Sequence, residues 1–273
     1  MPSSVSRLGD KLDRVRRHFG DNLSPDDAYL SYFDIRLLKE DIDAIKYDWL
    51  TDNAIAFWEE YLEREELSQF PRAQIVLLRP SMSFMLMQTQ DPLTLREVLP
   101  NFQKTTHIFL PINDNNDVSR AEGGSHWSLL LVSIIDGVAF HYDSLAPSND
   151  REARSTCMKL ETLLGKRLKF IHMQDSPQQE NGSDCGVFVC LVMKHLLLKR
   201  LLRADASKKI TMSMKDHHVN AHDGRKSMLR TIEEKRKEGE RRRSRSVSPF
   251  RPGSSKSKSP PRIGEENESL KSL

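Results

Sequence analysis

A free cysteine lies where a polar loop meets a long apolar segment. Cys185 follows the loop Asn181-Gly-Ser-Asp184 and begins an apolar stretch that runs to Leu202. The spacing of that stretch predicts a helix whose first residue is Cys185. Free N–H groups and the dipole at a helix N-terminus stabilise a thiolate, the nucleophilic form of cysteine. Cys185 is therefore a candidate nucleophile, although a small buried apolar residue is the commoner role of a free cysteine.

A thiol nucleophile needs a general base and a group that orients the base. His126 begins a predicted strand directly after Gly123-Gly124, and Asp143 ends the next strand. The pair Asp136-Gly137 between the two strands is typical of a hairpin, which makes the strands antiparallel neighbours. The three residue types therefore suggest a catalytic triad with Cys185 as its nucleophile.

The length of the hairpin loop decides whether the histidine and the aspartate can meet. A four-residue loop, residues 134–137, would place Asp143 opposite Ser128, diagonal to His126 on the same face. A two-residue turn would instead place Asp143 opposite Leu130, which is too far from His126. The triad hypothesis therefore predicts the longer loop.

Two further polar residues are candidates for the site, His141 as an alternative base and Gln179 as an oxyanion-binding residue. His141 is a second candidate base on the face of Asp143, but no pattern links it to Cys185. Gln179 lies six residues before Cys185, and its amide, with the Cys185 backbone N–H, is suited to binding an oxyanion. Each of these residues alone is more often a solvated or capping group, so only their combination indicates a catalytic site.

The rest of the pattern predicts strands and helices in irregular alternation. Strands are predicted at 75–78, 107–111, 126–135, 138–144 and 168–173, and helices at 49–62, 148–164, 185–202 and 227–237. Antiparallel pairing through a hairpin indicates an α+β fold rather than a doubly wound parallel sheet.

Charge and composition change near residue 240. The 273 residues carry a net charge of +3, but residues 240–273 hold nine basic and four acidic side chains, so the remainder is slightly acidic. The same segment contains nine serines and four prolines. It has too few apolar residues to offset its ordering entropy. We therefore expect a flexible segment at 1–27, a catalytic domain at 28–239 and a disordered basic Ser/Arg/Pro-rich tail at 240–273.

Several classes of protein are disfavoured. The three cysteines form no disulfide framework and no Cys-x-x-Cys pair. The sequence contains no apolar run of about 18 residues, as a membrane helix requires, and its start lacks a secretory signal. We therefore expect a location in the cytoplasm and/or nucleus, with no membrane association, no metal and no other cofactor.

The basic run Arg241–Arg245 raises the possibility of a nucleic-acid-associated protein. Among the neighbouring basic residues only Phe250 is aromatic, so a base-stacking surface is not supported. A nuclear-localisation or solubilising tail is the favoured interpretation, and nucleic acid is not an expected partner.

Three blocks of the sequence resemble the catalytic blocks of the Ulp/SENP cysteine proteases. They are His126-Trp-Ser-Leu-Leu130, Phe140-His-Tyr-Asp-Ser144 and Gln179-Glu-Asn-Gly-Ser-Asp-Cys-Gly186. The resemblance covers residues 28–237. It implies a papain-like fold of the Ulp/SENP type and cleavage after the C-terminal Gly-Gly of a ubiquitin-like modifier. It also implies that Cys185 is the nucleophile, His126 the base, Asp143 its orienter and Gln179 an oxyanion-hole residue.

A further block, Trp49-Leu-Thr-Asp52, is similar to the part of the family that binds the modifier tail. The resemblance implies that Trp49 and Trp127 form a narrow tunnel over the C-terminal Gly-Gly of the modifier. Only glycine, which has no side chain, lets the backbone and the indoles approach so closely. Asp52 is then expected to pair with a basic residue of the modifier tail. As a helix N-cap, Thr51 and Asp52 are both suitable.

Within the family, the chain is most similar to the deneddylase branch, which acts on the Nedd8/Rub modifier. The features are Leu30-Ser-Tyr-Phe-Asp34 and Ile112-Asn-Asp-Asn115, followed by an extra loop before Gly123-Gly124. The loop, residues 113–125, is expected to overhang the cleft and select the modifier through four charged residues: Asp114, Asp117, Arg120 and Glu122.

The expected substrates are Nedd8 conjugates, such as cullins, and/or the Nedd8 precursor, with the enzyme acting as a monomer. A SUMO-specific protease of the same family is the alternative. A nucleic-acid-associated or catalytically inactive modifier-binding protein is a more remote alternative.

Overall fold

A computed structural model describes residues 23–119, 123–203, 210–246 and 259–264. The chain divides into a larger unit, Asp48–Gly224, and a smaller unit formed by Met1–Tyr47 with Arg225–Leu273. In chain order the elements are β1 (Ala28–Tyr32), β2 (Ile35–Leu38), α1 (Lys39–Tyr47), α2 (Asp52–Tyr61), β3 (Ile75–Leu77), α3 (Pro80–Gln88), β4 (His107–Asn113), β5 (Trp127–Ser133), β6 (Val138–Tyr142), α4 (Asp150–Leu164), β7 (Lys169–His172), α5 (Cys185–His195), α6 (Ala221–Ser246) and β8 (Arg262–Ile263). Within these ranges, every helix is too short or too polar to cross a bilayer.

A mixed five-stranded sheet organises the larger unit. Its order is β3-β4-β5-β6-β7, with antiparallel pairs around β5 and parallel pairs at both edges. Every residue of β4 and β5 is buried, because helices cover both faces. Helices α3 and α4 pack on one face, and Phe188, Val189 and Val192 of α5 lie against Trp127 and Leu129 on the other. The predicted α+β class is confirmed.

The β5–β6 hairpin has the longer of the two loops considered from the sequence. The last pair of the ladder is Ser133 with Val138, which leaves the four residues 134–137 in the loop. The Ser133 hydroxyl donates a hydrogen bond of 2.5 Å to Asp136 inside the turn. The register continues from Leu129 opposite Tyr142, so the next position places Asp143 opposite Ser128. The register that the triad requires is therefore confirmed.

The smaller unit contains the three-stranded sheet β2-β1-β8. Helix α6 packs within this unit through two polar contacts. Glu233 accepts a hydrogen bond of 2.8 Å from the Tyr29 hydroxyl. Arg225 donates to the carbonyls of Ala44 and Ile45, both at 3.0 Å, at the end of α1.

The predicted tail boundary after Gly239 needs correction. Helix α6 continues through Gly239 to Ser246, and β8 pairs in parallel with β1. The carbonyls of Pro261 and Ile263 accept hydrogen bonds from β1 and the residue that follows it, and the Ile263 side chain is buried. The average composition of residues 240–273 gave no sign of this short strand, because pairing with β1 stabilises it. The rest of the predicted tail lies outside the described residues.

The predicted flexible segment 1–27 also changes at its end. The carbonyls of Pro25 and Asp27 accept hydrogen bonds from Glu40 and Lys39 at the start of α1. Residues 24–27 are therefore part of the smaller unit, and residues 1–22 lie outside the described part. Helices α1 and α3 and strands β1 and β2 were not predicted, because their apolar residues are few or are spread without a clear period.

Candidate active site

Cys185 is the first residue of helix α5, as its sequence context predicted. The preceding loop is shaped by Asn181, whose side-chain oxygen accepts hydrogen bonds from the backbone N–H groups of Ser183 and Asp184, both at 3.0 Å. Its amide also donates to the Asp184 carboxylate at 2.8 Å. The Trp49 indole donates to the Gly182 carbonyl at 2.7 Å. These contacts hold the chain that presents the Cys185 sulfur.

His126 and Asp143 meet as the register requires. The His126 Nε2 atom lies 2.6 Å from Asp143 Oδ1, and both side chains are buried. Cys185 and the His126 ring line the same cleft and interact electrostatically. Because Nε2 contacts Asp143, Nδ1 is the ring nitrogen that remains for the Cys185 sulfur. The structure therefore brings the three predicted triad residues together.

The carboxylate of Asp143 accepts hydrogen bonds from three donors, one of which is the His126 ring. Burial opposes its ionised form, but hydrogen bonds from His126 and from the backbone N–H groups of Asn149 and Leu145 lower the pKa of Asp143 to about 2. Burial likewise opposes the charged form of His126, yet the contacts with Asp143 and Cys185 raise the pKa of His126 to about 9. At neutral pH His126 is therefore an imidazolium paired with the Asp143 carboxylate.

Asp114 and Asn149 hold the backbone of His126, a role that the sequence marked for neither residue. Asp114 Oδ1 accepts the His126 N–H at 3.0 Å and the Ser125 N–H at 2.5 Å. The side-chain amide of Asn149 donates to the carbonyls of His126 at 3.2 Å and Ile112 at 3.1 Å. Asn149 is fully buried just before α4. Asn149 falls inside the segment 148–164 that was predicted as a helix, so no sequence pattern marked this role, and only its burial and contacts reveal it.

The Asp114 carboxylate also holds the base of the extra loop, residues 113–125. Gly124 has φ of +85°, and an added Cβ there would collide with Asn113 Oδ1 and lie 2.6 Å from Asp114 Oδ1. Asp114 is therefore committed to the base of the loop, which corrects its expected role as a modifier contact. Asp117 is exposed and accepts hydrogen bonds from Ser119. Arg120 and Glu122 lie outside the described residues.

A cleft of about 230 Å³ leads to the triad. Its lining includes His126 and Cys185, together with the three predicted substrate-binding residues Trp49, Trp127 and Asp52. Trp127 is buried and its indole donates to the Leu50 carbonyl at 3.2 Å, whereas Trp49 is 45% exposed.

The cap of helix α2 is Thr51, whose hydroxyl accepts the Ala54 N–H at 3.1 Å. Asp52 is the first residue of that helix and lies in the cleft wall. The capping role considered for Asp52 therefore belongs to Thr51.

Gln179 lies beside the triad and is held by its neighbours. Its side-chain oxygen accepts a hydrogen bond of 2.7 Å from Ser144, and its amide nitrogen donates to the Asn181 carbonyl at 2.6 Å. A glutamine amide carries two N–H groups, so one remains for an oxyanion. The oxyanion role of Gln179 stays a prediction.

The competing candidates do not join the triad. His141 is fully buried, and its Nε2 lies 2.9 Å from the Ser128 hydroxyl. Burial, together with the neighbouring His172, outweighs the attraction of Asp143 and lowers the pKa of His141 to about 4. Burial raises the pKa of the Cys157 thiol to about 11 and raises that of Cys190 well above its usual range. These two cysteines therefore have the structural role expected of buried thiols.

Comparison with known proteins gives a consistent result. The chain is 37% identical over 209 residues to NEDD8-specific protease 2 of Schizosaccharomyces pombe, which covers 75% of this chain and 50% of that protein. It is 33% identical over 172 residues to sentrin-specific protease 8 of Homo sapiens, covering 60% of this chain and 78% of that protein. The chain spans about half the length of the first curated relatives that it matches.

The fold is also shared with a solved structure, the C-terminal Ulp1 protease domain in complex with Smt3, the yeast ortholog of SUMO. The TM-score is 0.57 at 19% sequence identity, with 81% of this chain and 93% of that chain covered. Residues 48–234, which contain all the triad residues, match the Ulp1 protease family, C-terminal catalytic domain. The chain therefore belongs to the Ulp1 protease family.

Proposed function

We propose that this protein is a cysteine protease that cleaves after the C-terminal Gly-Gly of a ubiquitin-like modifier of the Nedd8/Rub type. The observation that carries the proposal is the convergence of Cys185, at a helix N-terminus, and His126 on one cleft, with Asp143 holding His126 at 2.6 Å. The choice of modifier is supported by the relatives named as NEDD8-specific proteases.

The proposed chemistry uses Cys185 as a thiolate and His126 as an imidazolium. The Cys185 thiolate attacks the carbonyl carbon of the last glycine, and the His126 imidazolium gives its proton to the leaving amine, which produces a thioester. Water then attacks the thioester while His126 accepts one of its protons, which releases the thiolate and the carboxylic acid of the modifier. The acid then loses its proton to solvent. The Cys185 backbone N–H and the remaining Gln179 N–H are the donors for the oxyanion in both steps.

Selection of the substrate depends on the cleft rather than on the triad. The indoles of Trp49 and Trp127 border the route to Cys185, so the modifier tail must be thin and extended, as a Gly-Gly backbone is. Asp52 in the same wall supplies a carboxylate for a basic residue of the tail. Contacts with the folded body of the modifier position the scissile bond, so short peptides are expected to be poor substrates.

The physiological role that we propose is removal of Nedd8 from conjugates such as cullins and/or processing of its precursor. Both reactions break an amide bond after the same Gly-Gly. An enzyme that recognises only the modifier side of that bond accepts both substrates. We also propose that the enzyme acts as a monomer in the cytoplasm and/or nucleus.

The test uses C-terminal fluorogenic conjugates of Nedd8, SUMO and ubiquitin. We expect the Nedd8 conjugate to be cleaved at least about 100-fold faster than the others, a preference that corresponds to about 2.7 kcal/mol of transition-state binding. Cys185→Ala should abolish cleavage and retain binding to Nedd8, because the cleft walls do not need the sulfur. Cys157→Ala is the matched control and should retain turnover.

Two results would overturn parts of the proposal separately. Turnover by Cys185→Ala within tenfold of the parent protein would exclude Cys185 as the nucleophile. A preference for SUMO with Cys185 still essential would reject the deneddylase assignment and favour a SUMO protease of the same family.

A further inference from the structure

A second group of ionisable side chains lies apart from the catalytic cleft. It consists of His141 on β6, His172 on β7 and Asp150 at the start of α4. The two histidines are direct neighbours in the parallel β6–β7 ladder. Their Nδ1 atoms are 3.3 Å apart, and Asp150 Oδ1 lies 3.6 Å from His172 Nδ1. Three potential ligand atoms therefore converge within 4.8 Å of one another.

These separations fit a small divalent cation. Zinc binds imidazole nitrogen and carboxylate oxygen at about 2.0–2.2 Å in a tetrahedron, which sets neighbouring ligand atoms about 3.3 Å apart. The two measured separations, 3.3 and 3.6 Å, are close to that edge length. An ion at the centre would have two nitrogen ligands and one oxygen ligand, with water in the fourth position.

Two of the three ligand residues are also oriented by their other contacts. The Nε2 atom of His141 lies 2.9 Å from the Ser128 hydroxyl, and its Nδ1 faces His172. Asp150 accepts a hydrogen bond from the Arg154 guanidinium through Oδ2 at 2.6 Å, and its Oδ1 faces His172. A hydrogen bond on the far side of a ligand is the usual arrangement around protein-bound metals.

Burial of the pair favours a shared ligand as well. His141 is fully buried, and its Nδ1 faces the Nδ1 of His172 at 3.3 Å. Two facing imidazole nitrogens can share at most one hydrogen atom, whereas a cation between them accepts a lone pair from each. The charges around the group are the Asp150 and Asp143 carboxylates, the His126 imidazolium and the Arg154 guanidinium, which lies over the Phe170 ring at 4.2 Å.

We propose that His141, His172 and Asp150 bind a divalent transition-metal ion, with Zn²⁺ as the best fit to their geometry. The ion would join β6, β7 and the start of α4. His141 precedes Asp143 by two residues, and its partner Ser128 follows His126 by two residues. Metal binding therefore stabilises the strands that carry the triad, without contact with the reacting atoms.

The test measures Zn²⁺ binding in the full chain with Cys185→Ala as the starting protein, because a thiol beside a histidine is itself a zinc site. Isothermal titration is expected to show one Zn²⁺ per chain. Asp150→Asn, which keeps the shape of the side chain, and His172→Ala should each weaken binding at least tenfold. His218→Ala removes an exposed histidine elsewhere and serves as the matched control.

Two further measurements keep the proposal falsifiable if a variant folds poorly. Co²⁺ bound to the same protein should show the intense visible bands of tetrahedral coordination, and Zn²⁺ should raise the melting temperature. Unchanged affinity in both Asp150→Asn and His172→Ala, or a weak octahedral Co²⁺ spectrum, would overturn the site and leave a metal-free histidine pair. The result is independent of which modifier the enzyme cleaves.

Discussion

The side-chain amide of Asn149 donates a hydrogen bond of 3.2 Å to the backbone carbonyl of His126. The backbone N–H of the same asparagine donates to Asp143 Oδ2 at 3.0 Å. One buried residue therefore contacts both His126 and Asp143. Asn149 is a positioning residue in the proposed reaction, since it does not touch the sulfur or the substrate.

Replacement of this residue should separate positioning from folding. Asn149→Ala removes hydrogen bonds to two buried carbonyls, so we expect the free energy of unfolding to fall by about 1–3 kcal/mol. We also expect kcat to fall about 10- to 100-fold with KM little changed, because a misplaced base slows only the chemical step. Asn101→Ala, at an exposed position, is the control. A purely structural role would lower stability and leave the kcat of the folded protein, and its rate of Cys185 alkylation, unchanged.

The pH dependence of activity should report His126. Its pKa of about 9 means that kcat/KM for an amide substrate falls as pH rises through about 9, when the proton for the leaving amine is lost. Asp143→Asn removes the negative partner and should move this limb down toward about 6.5 while lowering kcat/KM about 10²- to 10⁴-fold. A pH–rate profile of both proteins measures the shift. An unmoved alkaline limb in Asp143→Asn would contradict the coupling.

Stability should depend on pH through the same two groups, with opposite signs. The raised pKa of His126 gives a contribution that is complete below about pH 6.5 and lost as pH rises through about 9. The lowered pKa of Asp143 gives a contribution that is complete above about pH 3.8 and lost as pH falls through about 2. Urea unfolding at several pH values should show both losses, and the alkaline loss should disappear in His126→Ala.

Two glycines with positive φ offer a matched comparison. Gly165 ends α4 with φ of +61° and has no atom near an added Cβ, so Gly165→Ala should cost about 1–2 kcal/mol of backbone strain and leave turnover unchanged. Gly124→Ala adds collisions with Asn113 and Asp114, and Asp114 holds the His126 N–H. We therefore expect a larger loss of stability and a clear loss of kcat. Equal kinetics in the two variants would show that the loop base does not position His126.

Strand β8 can be tested by truncation. A chain that ends after Ser246 lacks two hydrogen bonds to β1 and the following residue, as well as the burial of Ile263. We expect it to be about 2 kcal/mol less stable than a chain that ends after Gly264. Urea unfolding followed by circular dichroism compares the two. Identical midpoints would mean that the β1–β8 pairing adds nothing to stability.

Much of the catalytic centre was predictable from the sequence because its signals are local. The change from a polar loop to an apolar helix marked Cys185, and the hairpin signal Asp136-Gly137 made the strands of His126 and Asp143 antiparallel neighbours. Of the two loop lengths considered, the triad hypothesis selected the four-residue loop 134–137, since the two-residue turn would keep the two side chains apart. The match to family blocks then assigned the roles, and neighbouring residues in sequence were enough for that assignment.

Only the tertiary structure decided which polar groups share a partner. The carboxylate of Asp114 turns inward to two backbone N–H groups, and the buried Asn149 donates hydrogen bonds to both His126 and Asp143. The group of His141, Asp150 and His172 follows no sequence motif, because pairing of β6 with β7 and the start of α4 bring it together. The same holds for β8, which is too short to have a period and gains its stability from β1. Periodicity is a property of neighbours along the chain, whereas hydrogen-bond partners and ligand sets depend on which distant segments the fold places side by side.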